Sequence, residues 1–226
     1  ANRTRALAIT AALAAVLLPA GAGAGERIAV LVSQADTYVV SRGIARTPFP
    51  DGVTATMVTP EDLESSEAAR AAVAGARVLV VDVMIRELVD HLAEHVPLEG
   101  KRAYALRGSR DDARLAAAGF VFDPEVQAYF DHPSSGNVAG MLARVIHNDI
   151  DASVEYPPVR RLPTFGISHP EAPRPFTDAD EYVEWYLGRA DRSPTAPWVG
   201  VMVYPTAIIE GNVEPLDEIV LRLEAA

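Results

Sequence analysis

Continuous apolar runs alternate with helix-period segments between Arg27 and Phe122, and this alternation limits the possible folds more than any other feature. Unbroken apolar runs are typical of parallel strands that are buried on both faces, and the segments between them are long enough to form crossover helices. The pattern predicts an α/β fold, a flavodoxin-like three-layer parallel sheet. Its strands are expected at residues 27–33, 54–58, 77–83, 102–107 and 119–122.

Helix signals fall between these strands. Thr59-Pro60-Glu61-Asp62 combines an N-cap residue, a proline at the first helical position and acidic residues in the first turn, which predicts a helix that ends near Gly75. Further helices are expected at 85–96 and 110–118, around Gln127–Phe130, and at 137–148. Residues 26–150 therefore read as one N-terminal α/β head domain.

Composition narrows the class of function. The chain has 226 residues, a formal net charge of -11 and no cysteine. No Lys/Arg cluster interrupts the negative charge, so nucleic acid is not expected as a partner. Any metal contact must come from histidine or carboxylate side chains, because thiolates are missing.

Residues 1–25 have the layout of a secretory signal peptide. Arg3 and Arg5 precede an apolar stretch from Ala6 to Leu18, and small residues follow up to Ala24. We therefore expect an exported, periplasmic protein that touches a membrane only through an uncleaved leader. If the segment is not a leader, a cytoplasmic location is the alternative.

The chain changes character after residue 150. Residues 151–165 are rich in proline and are interpreted as a linker, and residues 166–226 as the start of a second α/β region. There, a helix capped by Thr177 and ending near Leu187, a buried strand at 198–204 and a final helix from Glu214 are expected. A strand and helix without a following strand favour a piece of a longer polypeptide.

Common nucleotide and hydrolase motifs do not occur. The chain has neither a P-loop nor a Gly-x-Ser-x-Gly elbow, and no glycine pattern follows the first strand. Gln34, Asp36 and Asp82 would lie beyond strand ends, where such folds bind ligands. We interpret them as surface polarity, because no second feature converges on them.

The segment His91-Leu92-Ala93-Glu94-His95 places two imidazoles on one helix face, an arrangement that permits a metal contact. It formally matches the H-x-x-E-H pattern of zinc peptidases, but no third ligand is identifiable. The default interpretation is a solvated helix face, with a surface divalent-metal contact as the alternative.

Other candidate residues lie outside that helix. His132 and His147 are interpreted as capping or packing residues, with ligand binding the alternative for His132. His169 lies between Ser168 and Pro170 in a loop, where it could bind a ligand or brace the loop against the helix of Trp185 and Tyr186.

Aromatic residues concentrate in the last third of the chain. They could form a flat apolar wall for a macrocycle, or a core stripe where their spacing is helical. The members are Phe165, Phe176, Tyr182, Trp185, Tyr186 and Trp198.

One set of residues, taken in order and with its gaps, is specific as a group. The set is Gly166, His169, Pro170, Ala172, Pro173, Phe176, Tyr182, Trp185, Tyr186, Val199, Gly200, Tyr204, Leu223 and Glu224. It resembles the opening signature of the large, tetrapyrrole-binding subunits of cobaltochelatase (CobN) and magnesium chelatase. Ser168 departs from that signature, which commonly has tyrosine before the histidine.

The resemblance implies a tetrapyrrole substrate, cobalt or magnesium as the inserted metal, and ATP used by AAA+ ATPase partner subunits. It assigns neither a cofactor nor a catalytic residue to this chain. An exported protein could not use cytoplasmic ATPases, so two alternatives stay open. One is an exported dechelatase that removes metal from haem or another tetrapyrrole without ATP, and the other is a non-catalytic tetrapyrrole or metal delivery protein.

Overall fold

The computed structural model describes residues 25–162, 165–189, 195, 197–210 and 213–225. The predicted leader lies outside these residues, and so do two residues of the predicted linker. No helix in the described part of the chain is long and apolar enough to cross a membrane.

A five-stranded, fully parallel sheet forms the centre of the protein, in the order β2-β1-β3-β4-β5. The predicted α/β fold with a flavodoxin-like sheet is confirmed, and the five strands expected between residues 27 and 122 are present. The strands are β1 (Arg27–Leu31), β2 (Thr54–Val58), β3 (Val78–Val81), β4 (Arg102–Ala105) and β5 (Phe120–Val121).

Helices cover both faces of the sheet, and an apolar core lies between the sheet and the helices on each face. One core packs Ile28, Val30 and Val80 against residues of α7, and the other packs Leu31 and Leu79 against Leu88 and its neighbours. The helices are α1 (Thr37–Arg46), α2 (Pro60–Ser65), α3 (Glu67–Gly75), α4 (Arg86–His95), α5 (Asp112–Ala117), α6 (Pro124–Asp131) and α7 (Ser135–Asp149).

The single helix expected from Thr59 to Gly75 is two helices. Thr59 starts α2 with a capping box: its hydroxyl accepts from the Asp62 N–H, and the Asp62 carboxylate accepts from the Thr59 N–H. Ser66 then takes an extended conformation, and its hydroxyl accepts from the Ala69 N–H to cap α3. The second cap competes with helix continuation, which explains the break.

Three helices follow the sheet domain: α8 (Ala179–Leu187), α9 (Pro205–Ile209) and α10 (Glu214–Glu224). The helix expected to end near Leu187 is confirmed, but its cap is Asp178 rather than Thr177, because the Asp178 carboxylate accepts from the Glu181 N–H at 2.9 Å. The expected final helix is also present.

The prediction of a strand at 198–204 is wrong. These residues form neither helix nor strand, and Met202 is 98% exposed. In the described part of the chain no strand lies beside this segment to accept its backbone hydrogen bonds, and an apolar run without such a neighbour cannot form a sheet.

A buried carboxylate attaches this C-terminal region to the sheet domain. Glu210, just after α9, accepts from the backbone N–H and the hydroxyl of Ser135 at the start of α7, both at 2.6 Å. Arg42 of α1 lies 3.6 Å from the same carboxylate, and Arg46 donates to the Ser135 hydroxyl. The positive end of α7 and the Arg42 guanidinium thus stabilise one anion, and Arg46 acts on it only through the Ser135 hydroxyl.

The proline-rich segment is held by side chains of the sheet domain. Asn137 of α7 pairs with the backbone of Arg160, donating to its carbonyl at 2.8 Å and accepting from its N–H at 2.9 Å. Tyr129 donates its hydroxyl to the Pro157 carbonyl. Both contacts lie on α6 and α7, so these helices position the chain that leads to the C-terminal region.

Helices α1 and α7 approach each other most closely at Gly43. A Cβ atom there would overlap the Cβ and Cγ1 atoms of Val138, which no rotamer change can move aside. We expect Gly43→Ala to lower the free energy of unfolding by about 1–3 kcal/mol, measured by urea denaturation.

Gly136→Ala is the matched control, because the nearest atom to the added Cβ is the Ser134 hydroxyl oxygen at 4.0 Å. It should leave stability unchanged or raise it. Equal stability of Gly43→Ala and Gly136→Ala would contradict the assigned close approach.

Candidate functional site

The loop that carries His169 is closed by a short antiparallel bridge. The N–H of Ile167 donates to the Phe176 carbonyl at 2.7 Å, and the N–H of Phe176 donates back to the Ile167 carbonyl at 2.8 Å. Within the loop closed by this bridge, His169 is buried and only 5% exposed.

His169 pairs with Glu224 at the end of α10. Its Nε2 lies 3.0 Å from the Glu224 Oε1, and its Nδ1 accepts from the Glu171 N–H at 3.1 Å. Since Nδ1 is taken by a backbone N–H, Nε2 is the nitrogen that faces the Glu224 carboxylate, and an Arg189 guanidinium nitrogen lies 3.1 Å from the same Nε2. The pair joins two ends of the signature that are 55 residues apart.

Arg189, just after α8, completes an ion cluster around this pair. Its guanidinium lies 3.4 Å from the Glu224 carboxylate and also pairs with Glu171. The same group stands over the rings of Trp185 and Tyr186, at 5.4 and 5.5 Å from their centroids. Arg189 therefore connects the loop, α8 and α10 through charge and cation–π contacts.

Two opposing effects act on the pKa of Glu224. Burial raises it, but hydrogen bonds to His169 and Tyr186 and the charges of His169 and Arg189 lower it more, so the pKa lies below its ordinary value of 4.5. Glu224 is thus held as a carboxylate at neutral pH.

The aromatic residues of this region form a ring cluster around α8. Tyr182 stacks on Tyr186 at 5.8 Å, Phe176 lies 5.4 Å from Trp185, and Trp198 lies 5.0 Å from Tyr186, all between ring centroids. The His169 ring contacts Trp185 edge-on at 5.2 Å. The imidazole thus braces its loop against this helix, one of the two roles predicted for it.

Exposure divides this cluster into an inner and an outer part. Phe176 is buried, whereas Trp198 is 53% exposed and leads into the exposed segment up to Tyr204. Phe165 is 59% exposed and makes no ring contact within the described residues. An apolar surface therefore exists, but it is formed by Trp198 and the following residues rather than by the stripe on α8.

His132 and His147, which were interpreted as capping or packing residues, pack within the sheet domain. His147 of α7 places Nδ1 2.9 Å from the Val154 carbonyl and its ring 5.1 Å from that of Tyr156. His132 ends α6, where its carbonyl accepts from the Asn137 amide at 2.7 Å. Neither joins the cluster around His169.

At the carboxyl edge of the sheet, the interpretation of Asp82 as surface polarity is wrong, because the residue is completely buried. Arg107, which the sequence analysis did not single out, bridges Asp82 at 3.0 Å and Asp36 at 3.6 Å. Burial raises the pKa of Asp82, an effect that Arg107 and the Met84 N–H oppose and Asp36 reinforces. The sequence signal for Arg107 was a basic residue that closely follows the apolar run of β4. Gln34 is exposed.

His91 and His95 lie together on α4, in a recess separate from the other sites. Within the described residues, no group of three or more His, Asp or Glu side chains is placed to hold a metal ion.

The buried polar cluster around His169 is therefore best understood as a junction of loop and helices, with a neighbouring exposed apolar surface.

These features define a class: an α/β protein with a flavodoxin-like sheet, followed by a helical region built around an ion-paired histidine and an aromatic cluster. Residues 127–226 match the family model described as CobN/Magnesium Chelatase. These residues are similar to that family, and the resemblance seen in the signature is confirmed.

Among solved structures, the chain is similar to the catalytic subunit of cobaltochelatase from Mycobacterium tuberculosis, with 15% sequence identity and a TM-score of 0.40. The match covers 66% of this chain and 12% of that one. The chain thus spans a small part of the length of that protein. No curated protein sequence matches it significantly.

The His169–Glu224 pair should make the C-terminal region sensitive to acid. Since the folded-state pKa of Glu224 is lowered, its stabilising effect is present above pH 4.5 and is lost as the pH falls through the folded-state value. We expect Glu224→Gln to destabilise this region by about 1–2 kcal/mol at pH 7. Fluorescence during urea unfolding reports on it, because both tryptophans lie there.

Glu218→Gln serves as the control on the same helix, since Glu218 is exposed and pairs only with Arg222 in the described structure. Glu218→Gln should lower the free energy of unfolding only slightly at any pH. An acid transition in Glu224→Gln as steep as that of the unmodified protein would rule out Glu224 as its source.

Proposed function

We propose that this chain forms the N-terminal part of a cobaltochelatase-like large subunit, which binds a tetrapyrrole for insertion of cobalt or magnesium with AAA+ ATPase partners. The family match over residues 127–226 carries the proposal. In this proposal the described region contributes contacts to the macrocycle, and it holds neither a catalytic residue nor a cofactor of its own.

The exposed surface after α8 suits such a ligand. Trp198 rests on Tyr186, and beyond it Val199, Met202 and Tyr204 are all exposed, the last at 85%. A contiguous exposed apolar surface on a protein with polar surroundings is typical of a binding site. Tetrapyrroles have two large flat faces, and an aromatic side chain packs well against such a face.

Arginine side chains border the aromatic cluster. Arg174 stands 5.2 Å from the Phe176 ring centroid and pairs with the exposed Glu181, while Arg189 stands over Trp185 and Tyr186. The carboxylates at the edge of a tetrapyrrole could exchange with the exposed partner carboxylates. The strongly negative chain therefore offers local positive charge beside its apolar surface.

We expect the chain to bind haem or a corrin precursor with a change in the absorbance spectrum, and Trp198→Ala to weaken that binding about tenfold, as for the loss of roughly 1.4 kcal/mol of aromatic contact. Phe165→Ala is the matched control, because Phe165 is equally exposed but lies outside the ring cluster. Equal weakening by both variants would indicate unspecific apolar binding.

The same titration separates the candidate functions. Metal insertion that requires ATPase partners would support the chelatase subunit. Metal release from the bound macrocycle without ATP would favour the exported dechelatase. Tetrapyrrole binding with neither metal insertion nor metal release would favour a delivery protein. No spectral change with any tetrapyrrole and none with cobalt would refute all three and leave an interaction module.

We also propose that residues 1–25 direct export to the periplasm. Support comes from Arg3 and Arg5 followed by the apolar stretch from Ala6 to Leu18. A fusion of the chain to alkaline phosphatase, which is active only after export from a bacterial cytoplasm, should be active. The same fusion without residues 1–25 should be inactive, and activity of both or neither would reject the leader.

A further inference from the structure

A recess on the sheet domain, remote in sequence from the signature, contains two histidines. It lies where the end of α2, the last turns of α3 and the end of α4 meet, and its volume is about 290 Å³. The lining residues are Leu63, Arg70, Ala74, His91, His95 and Val96. Its floor is therefore apolar, and most of its polar groups are nitrogen donors.

The two imidazoles face each other across one helical turn. His91 and His95 are four residues apart on α4, and their ring centroids are 4.8 Å apart at an interplanar angle of 62°. Residues at this spacing lie on the same helix face, so rotation about two side-chain bonds can bring one nitrogen of each ring to a common point.

Neither ring is committed to another hydrogen bond in the described part of the chain. The nearest polar contact is between the His95 Nε2 and the Glu94 Oε2, at 3.6 Å, which is too long for a hydrogen bond. By contrast, His147 bonds to a carbonyl and His169 to a carboxylate. The His132 ring also makes no side-chain hydrogen bond among the described contacts, but it stands alone, whereas the His91 and His95 rings lie side by side.

Metal binding uses the neutral form of an imidazole, in which one ring nitrogen keeps a free lone pair.

Arg70 is the cation that would oppose a metal ion here. Its guanidinium donates to the Leu63 carbonyl at 2.7 Å and to the Glu64 carbonyl at 3.1 Å, so its charge is directed to the end of α2. Lys101 donates to the carbonyls of Ala74 and Ala76 in the same way. Glu94, adjacent to His95, supplies the negative charge on the opposite side.

We propose that His91 and His95 form a binding site for a divalent transition-metal ion of the cobalt, nickel, copper and zinc group. Imidazole nitrogen is the preferred ligand of these ions, whereas magnesium and calcium prefer oxygen. Two protein ligands hold the ion, and water completes its coordination, because no third side chain is in place among the described residues. The open coordination positions make the site suited to exchangeable metal.

The test is a titration of the full, untagged chain with Co²⁺ at pH 7.5, followed by ¹⁵N-HSQC spectra and calorimetry. Paramagnetic Co²⁺ should broaden amide signals around His91 and His95 and those of the facing turns of α3. Binding should be lost in His91→Ala and in His95→Ala.

His132→Ala is the control variant, because the His132 carbonyl that bonds to Asn137 belongs to the backbone and is retained. It should bind Co²⁺ with unchanged affinity. Circular dichroism checks that the two α4 variants stay folded, which is expected since the His95 side chain is largely exposed. Unchanged affinity in both α4 variants, broadening centred elsewhere, or no saturable binding would overturn the proposal.

This site is independent of the proposed tetrapyrrole surface. The titration contains no macrocycle, and Trp198→Ala should bind Co²⁺ like the unmodified protein. Binding of Co²⁺ without binding of a tetrapyrrole would support the metal site and refute the tetrapyrrole surface. Binding of a tetrapyrrole without binding of Co²⁺ would do the opposite.

Discussion

The pairing of β1 with β3 is the constraint on which the rest of the structure depends. Residues 28–31 lie beside residues 78–81 at the centre of the sheet, and their side chains are buried on both faces. Two apolar faces require two helical layers, and α7 is the longest helix in the layer on one of them. Because Glu210 binds at the start of α7, the C-terminal region is attached to the most rigidly packed helix of the domain.

The sheet was predictable because burial on both faces leaves an unbroken apolar run in the sequence, as in the central strands β1 and β3. The same pattern misled at 198–204. An apolar run indicates that a segment needs apolar surroundings, but a strand also needs a neighbour for its backbone, which a run cannot reveal. At Ser66 the missing information was more local, since an N-cap within a helical pattern can end one helix and begin another.

The candidate site was predictable in part, for the same reason. Helical spacing at Tyr182, Trp185 and Tyr186 predicted a stripe on one helix, and the structure has it. The contact of His169 with Glu224 spans 55 residues and two helices, a distance over which no spacing rule applies. Likewise, Arg107 meets Asp82 only because β3 and β4 are neighbours in the sheet.

This geometry changes how the family signature should be interpreted. His169, Phe176, Trp185, Tyr186 and Glu224 are occupied by contacts with one another, so the structure explains them by packing and charge within the protein. Substituting one of them would move the loop, α8 and α10 together, and it would affect all ligands of the region alike. Trp198 differs, because half of its surface faces solvent. In the proposed function, discrimination between ligands therefore falls to the exposed residues beside the signature rather than to its buried pair.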